Sequence, residues 1–475
     1  MRKKEYRFFL QDPLYAFMYL LILSFSVVLL ATPYAKFAVL PAVLVLVLMF
    51  IGHYPAFGYY VILFLIPFGA YRGLTGAYKF LTISKFIGIW LVVLVTFHFI
   101  LSKAGRIKIG SKLWAPLLMF FGAAVVSTLL SEYPETSYDN MRQLFTAYIF
   151  FFLTMVLITD KAVRKTLPAV LIWSIGLSSF LSVFGYLFNV SLFTVNIDTQ
   201  AIKRATGASV DPNLFSAMVI FGLPFMVHRF LYPKSFLEKI IMLPVIGASI
   251  TAIILTFSRG GGLVLFIILG IIFFENIHRL RPKHLGFYLL MLVVIICAGL
   301  FVIPASYWER QGSVTNTADR SIGRRLSYII VGWDAFKDNP VLGTGPGTYM
   351  ENYAKSNFSA GYAMGGTQRR FAHNSYLEVL IGVGGLGLIL FLSAMVIAFR
   401  NYLTARKTFR ERGEVELASL IGSYMTAFLA FSLYFLILST LYHKFFWTAI
   451  ALSQAVLNFS QNYKGKEPDE TPSST

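Results

Sequence analysis

The sequence predicts an all-α fold: a polytopic transmembrane helical bundle of about 12 to 14 spans with one large, partly helical extracytoplasmic loop. Three observations predict it. Hydrophobic residues fill 57% of the 475 positions and charged residues only 13%, with a mean hydropathy of +0.69, far from the composition of soluble domains. Apolar runs of roughly 17 to 25 residues recur along nearly the whole chain, each long enough to cross about 30 Å of hydrocarbon as a helix. The net charge is +19, yet the basic residues are spread over many short loops between those runs, as membrane topology requires. A nucleic-acid-binding protein would gather that charge into one stripe, so no nucleic-acid partner is expected.

Taken in order, the first apolar run follows Met1-Arg2-Lys3-Lys4-Glu5-Tyr6-Arg7. No small-residue cleavage site separates it from the second run, so an uncleaved first span is expected. Residues 1–304 read as the N-terminal transmembrane helices, about eleven spans, and residues 373–462 as about three more. Between them, residues 305–372 form a polar segment read as the extracytoplasmic loop. Residues 463–475, with Pro468 and Pro472, have too little apolar surface to fold and read as a disordered cytoplasmic tail. The single cysteine, Cys297, lies inside an apolar run, which excludes a disulfide framework and a thiol metal site.

Charge orients the bundle. Alternate loops hold the N-terminus, Lys103 to Lys112, Lys161 to Lys165, Arg229 to Lys239, Arg279 to Lys283, Arg400 to Arg412 and the Lys464-Lys466 tail, together more than half of the 41 lysines and arginines. That side reads as cytoplasmic, with both termini on it and an even number of spans. The outer side then holds Ser131 to Glu135, the 190–211 loop, Ser258-Arg259-Gly260, the 305–372 segment and a short turn near His443-Lys444. Arginines on that side run against the positive-inside trend, so a partner must account for them.

Arg204 precedes Asp211-Pro212-Asn213, where Asp211 suits a helix N-cap and Pro212 the first helical position. It is therefore expected in a loop above a helix N-terminus, whose free N–H groups favour anions. Arg259 opens a glycine-rich turn between two apolar runs, a costly place for a charge unless it snorkels or is paired. Arg324 and Arg325 start a helical stretch, Leu326 to Phe336, which leads into the irregular Pro-Gly turn Asp338 to Gly347, where backbone N–H groups can converge. The polar segment closes on Arg369-Arg370-Phe371-Ala372-His373. Ser375 and Glu378 have capping-box spacing, while His373 has no such duty and is the candidate general base.

Several arginines around one histidine suit attack by a hydroxyl on a carbon bearing a phosphate or pyrophosphate leaving group. Arginine holds phosphate oxygens bidentately and keeps its charge at physiological pH, and histidine takes the hydroxyl proton. The outer loops lack Asp-x-Asp and clustered carboxylates, so no metal and no cofactor is expected.

Ser258-Arg259-Gly260, the Arg325-Leu326 helix start leading to Asp338-Asn339-Pro340-Val341-Leu342-Gly343-Thr344-Gly345-Pro346-Gly347, and His373-Asn374-Ser375-Tyr376-Leu377-Glu378 followed by Gly384-Gly385-Leu386-Gly387 together resemble the O-antigen ligase and polymerase superfamily. The resemblance covers roughly residues 200 to 390. It implies a bacterial inner-membrane glycosyltransferase with an extracytoplasmic active site. Its donor would be a glycan on a polyprenyl-pyrophosphate carrier, and its acceptor the lipid A core or another glycan. Transfer would be inverting and metal-independent, with His373 activating the acceptor and Arg204, Arg259 and Arg325 holding the pyrophosphate. Arg324, Arg369, Arg370, Asn374 and Tyr376 complete the expected substrate-binding set. Membrane lipids are the other expected partner, and the chain is expected to be a monomer or weak oligomer. Family members commonly carry a second acid where this chain has Gly382. The alternative reading is a transporter or flippase of lipid-linked sugars, but such proteins place ionisable residues near mid-membrane and often contain internal repeats, neither of which is evident here.

Overall fold

The computed structural model describes residues 39–73, 83–101, 110–197, 202–277 apart from Val210, 320–361 and 369–464, with scattered positions between 17 and 32. The basic N-terminal segment with most of the first apolar run, Cys297 and its surroundings, residues 305–319 and the tail from 465 lie outside the described residues. In chain order the elements are α1 (Val39–His53), α2 (Pro55–Leu65), α3 (Ile83–Leu101), α4 (Trp114–Leu129), α5 (Pro134–Leu157), α6 (Leu167–Leu187), β1 (Thr194–Ile197), β2 (Ile202–Ala205), α7 (Pro212–Leu231), α8 (Phe236–Leu255) and α9 (Arg259–Asn276). There follow α10 (Arg320–Asp338), α11 (Tyr349–Lys355), α12 (Asn357–Gly361), α13 (Ser375–Glu411), α14 (Val415–Tyr434) and α15 (Lys444–Asn462).

The bundle is all-α, but among the described residues the helices that can cross a membrane fall short of the expected 12 to 14. Among the described residues seven helices are long and apolar enough to cross a membrane, or eight if the bent pair Leu46–His53 and Pro55–Gly69, which meets at 111°, counts as one crossing. One apolar run read as a span falls short, because Trp114–Leu129 reaches only about 24 Å as a helix. Helix α15 has the length but carries Ser453, Gln454, Asn458, Ser460 and Gln461, and it is packed inside the bundle, with Trp447 fully buried. Apolar run length alone does not separate a lipid-facing crossing from a helix that serves the core.

The core is built on α13, which packs against α4, α14 and α15, and on α7, which packs against α8 and α14. Aromatic rings tie these helices together: Phe391 stacks on Phe435 at 6.2 Å, Phe435 meets Phe446 at 4.4 Å, and Phe221 stacks on Phe445 at 4.9 Å. A two-stranded antiparallel hairpin, β1 with β2, stands above this core and pairs Val195 with Arg204.

Helix α13 is broken at Gly384, where φ is 74° and ψ is −176°. A break strips the flanking carbonyls and N–H groups of their helical partners, a heavy cost at membrane depth unless other groups replace them. The Pro-Gly turn after α10 replaces them. Thr344 N donates to Ile381 O (2.8 Å) and Gly345 N to Gly382 O (3.0 Å), while Gly385 N donates to Pro340 O (2.8 Å) and Leu386 N to Val341 O (3.3 Å). Ser127 of α4 adds a hydroxyl to Gly382 O at 2.7 Å, and Ser131 donates to Thr344 O at 2.7 Å. The turn is rigid and irregular, as the sequence suggests, but these two N–H groups are engaged by α13. At Gly382 a Cβ would stand 3.0 Å from Gly345 O and 3.1 Å from Pro346 Cα, so the position has no room for an acid.

Candidate functional site

One end of the bundle collects the N-termini of α7, α9 and α13, the C-termini of α8 and α14, and the first half of α10. The helix starts are locally encoded. Asp211 caps α7, its Oδ1 accepting from Asn213 N (2.6 Å) and Leu214 N (3.0 Å), with Pro212 at the first helical position. Ser258 caps α9 by accepting from Gly261 N at 3.0 Å, which makes Arg259 the first helical residue instead of the middle of a turn. The turn packs tightly: a Cβ on Gly261 would meet Ser216 Oγ and Tyr434 OH, and one on Gly260 would meet Ile437.

At α13 the capping differs from the sequence reading. Asn374 is the cap, accepting from Leu377 N at 3.0 Å, so Ser375 and Glu378 do not form a capping box with each other. Ser375 instead ties α13 to the segment after α14: its N–H donates to Phe435 O (2.7 Å), its hydroxyl donates to Leu438 O (2.8 Å) and accepts from Thr440 N (2.9 Å). Glu378 Oε1 accepts from Ser439 Oγ (2.5 Å) and from Ala372 N (3.3 Å), and so pins the residue before His373. Tyr376 donates to Ser432 O at 2.9 Å and packs on Phe435 and Phe391.

His373 has φ +50°, a left-handed conformation uncommon outside glycine, and its ring lies 5.9 Å from that of Tyr328 on α10. The residue is exposed, with Ala372 before it buried. Burial lowers its pKa from the ordinary imidazole value, the Arg325 charge lowers it further, Asp211 pulls it back up, and Arg370 lowers it again. Those three charged groups therefore lie near the histidine. The second histidine at this end, His443, has a structural duty. Its Nδ1 accepts from Phe445 N at 3.3 Å, its ring stacks on Phe431 at 5.0 Å, and burial, reinforced by Lys444, pushes its pKa down to about 3.

Arg204 is buried on β2 and braces two helix ends, its Nε donating to Thr256 O at 2.5 Å and its Nη2 to Asn213 Oδ1 at 3.1 Å. Arg204 and Arg259 thus sit at the same bundle end as His373, Arg325 and Arg370. Arg369 goes elsewhere: it pairs with Glu351 of α11 at 3.2 Å, and Glu351 also accepts from Thr136 at 3.0 Å. The Arg324 side chain lies outside the described residues. Asp211 and Tyr328 are neighbours of His373 that the sequence did not assign to the site. Asp211 was legible as a cap, but nothing local brings it to a residue far along the chain. Among the described residues no group of three or more His, Cys, Asp and Glu side chains is arranged to hold a metal ion.

A family model described as O-Antigen ligase matches residues 244–392, from within α8 through the broken first half of α13. No curated protein matches the chain.

Proposed function

From the match of residues 244–392 to the O-antigen ligase family model, we propose that this membrane protein is an enzyme that transfers a glycan from a polyprenyl-pyrophosphate carrier to an acceptor hydroxyl on the extracytoplasmic face. The observation that carries the reading is the neighbourhood of His373, Arg325, Arg370 and Asp211, at the bundle end that also holds Arg204 and Arg259. His373 takes the proton from the acceptor hydroxyl as its oxygen attacks the anomeric carbon. The bond from that carbon to the pyrophosphate oxygen breaks, with inversion. Arg204, Arg259 and Arg325 stabilise the departing pyrophosphate, and the sequence offers no carboxylate cluster on that side for a divalent ion to share the task. Asn374 and Tyr376 fix the start of α13, and through it the base, while Arg369 holds the polar segment to α11.

The test is transfer by the purified protein from a polyprenyl-pyrophosphate glycan to a defined acceptor, run with and without chelator. Turnover is expected to be indifferent to chelator, lost in His373→Ala, and accompanied by weakened donor binding in Arg259→Ala and Arg325→Ala. Normal turnover by a folded His373→Ala protein removes the base from the mechanism. A ladder of repeat lengths identifies a polymerase, and a single addition to a lipid core a ligase.

A further inference from the structure

The other end of α9 and α13 holds a second polar constellation, unrelated to glycan transfer. Arg406 Nη1 pairs with Glu275 Oε1 at 2.6 Å between the two helices, both side chains largely buried. Gly422 of α14 closes the pair from behind, where a Cβ would stand 3.2 Å from Glu275 Oε2 and 3.4 Å from Arg406 Cζ. In front of it lies an open cleft of about 600 Å³ lined by Ile267, Gly270, Ile271, Phe274, Glu275, Arg406 and Arg410. The apolar four are spaced i, i+3, i+4, i+7, a single stripe of α9, and Phe274 is 72% exposed.

One feature asks for an anion. The Arg406 Nε gives no donor to the cleft, because it is buried against Gly422, where a Cβ would stand 3.4 Å from it. Arg410, one turn further on, makes no ion pair among the described residues, whereas its neighbour Lys407 is engaged by Glu411 at 3.7 Å. Glu275 offsets one of the two arginine charges and leaves a single positive charge facing the cleft, which matches one phosphodiester.

Depth identifies the source of that phosphate. Glu275 lies sixteen residues beyond Arg259, about 24 Å along the helix, close to the roughly 30 Å thickness of hydrocarbon. With Arg259 at one boundary, the cleft sits at the other, where headgroup phosphates and the first methylenes of acyl chains meet. We propose that this cleft binds an anionic phospholipid of the leaflet opposite the face proposed to be catalytic, Arg410 taking the phosphodiester and the Ile267–Phe274 stripe an acyl chain. A zwitterionic lipid fits less well, because its ammonium would face Arg410 while Glu275 is turned to Arg406 and Gly422.

The experiment is native mass spectrometry of the full-length protein, delipidated and exposed in turn to phosphatidylglycerol, phosphatidylethanolamine and phosphatidylcholine. The expected result is several-fold greater retention of phosphatidylglycerol, lost in Arg410→Gln. Gly270→Trp, at a position where a Cβ meets nothing within 4 Å, fills the cleft and is expected to lower lipid retention without touching the ion pair. Equal retention of the three lipids by the wild type, or undiminished phosphatidylglycerol on both folded variants, overturns the proposal. Displacement of the lipid by millimolar inorganic phosphate overturns the lipid as the source and leaves a soluble phosphate site.

Discussion

Replacing Gly384 by alanine tests how the polar segment is anchored to the bundle. The residue sits at φ 74° and ψ −176°, a region essentially reserved for glycine, so alanine costs about 1–3 kcal/mol in backbone conformation alone. Its Cβ would stand 2.1 Å from Val341 O and 2.3 Å from Val341 C, backbone atoms that cannot yield as a flexible side chain would. Relief requires the turn to withdraw, which frees Gly385 N from Pro340 O and Leu386 N from Val341 O, at about 1–3 kcal/mol for each buried donor left unsatisfied. The total is roughly 3–9 kcal/mol, large for a single methyl group. Thermal unfolding of the detergent-solubilised protein measures it against Gly122→Ala, a mid-helix site where an added Cβ meets nothing within 4 Å and alanine is expected to be neutral or about 1 kcal/mol stabilising. Gly384→Ala is expected to unfold well below both wild type and control. If it unfolds with them and retains full transfer, the pairing between the Pro-Gly turn and the broken helix does not hold the site together.

Two further predictions concern the base and its support. Asp211→Asn keeps the α7 cap but removes the one carboxylate that raises the His373 pKa. Since only neutral imidazole accepts a proton, and the neutral form is populated above the pKa, lowering that pKa should shift the acid limb of the kcat/KM profile to lower pH. A limb that stays put or moves up refutes the coupling. Glu378→Ala removes the acceptor that pins Ala372, and a loss of about 1–2 kcal/mol should appear as a roughly 5- to 30-fold fall in kcat with KM little changed. Glu378→Gln, which keeps an acceptor there, should recover most of it, whereas an equal loss in both variants argues against a positioning role.

Much of the fold was legible where the signal is local. Asp211-Pro212 announced the start of α7, the Leu326 to Phe336 stretch falls inside α10, and the apolar composition gave the all-α bundle. The span count fell short among the described residues partly because length was read without polarity: α15 has a span's length, but Ser453, Gln454, Asn458, Ser460 and Gln461 lower its hydropathy. The sequence also showed that Asp338 to Gly347 is irregular and rigid. It did not show what the free N–H groups there serve, because their acceptors, Ile381 O and Gly382 O, belong to a helix break about forty residues away. The capping box failed for a smaller reason: Asn374 stands one residue ahead of Ser375, both types cap well, and tertiary bonds to Leu438 and Thr440 recruit the serine.

On the proposed mechanism the charge at the His373 end answers a problem of compatibility. A leaving pyrophosphate would call for positive potential, which Arg204, Arg259 and Arg325 would supply together with the helix dipoles at the N-termini of α7, α9 and α13. Burial first, then Arg325 and Arg370, lower the His373 pKa from the ordinary imidazole value, so on the proposed mechanism a charge that would stabilise the leaving group also favours the neutral base. The same potential then resists the proton His373 must accept. Asp211 is the counterweight: it restores part of the basicity that burial and Arg325 remove, while its other duty, capping α7, fixes it in place without a dedicated loop. As negative charge builds on the pyrophosphate during transfer, it offsets the arginines and raises the proton affinity of the histidine at the moment the acceptor hydroxyl gives up its proton. On this account Arg325 and the base are one electrostatic unit, and Arg325→Ala should alter the pH profile as well as donor affinity.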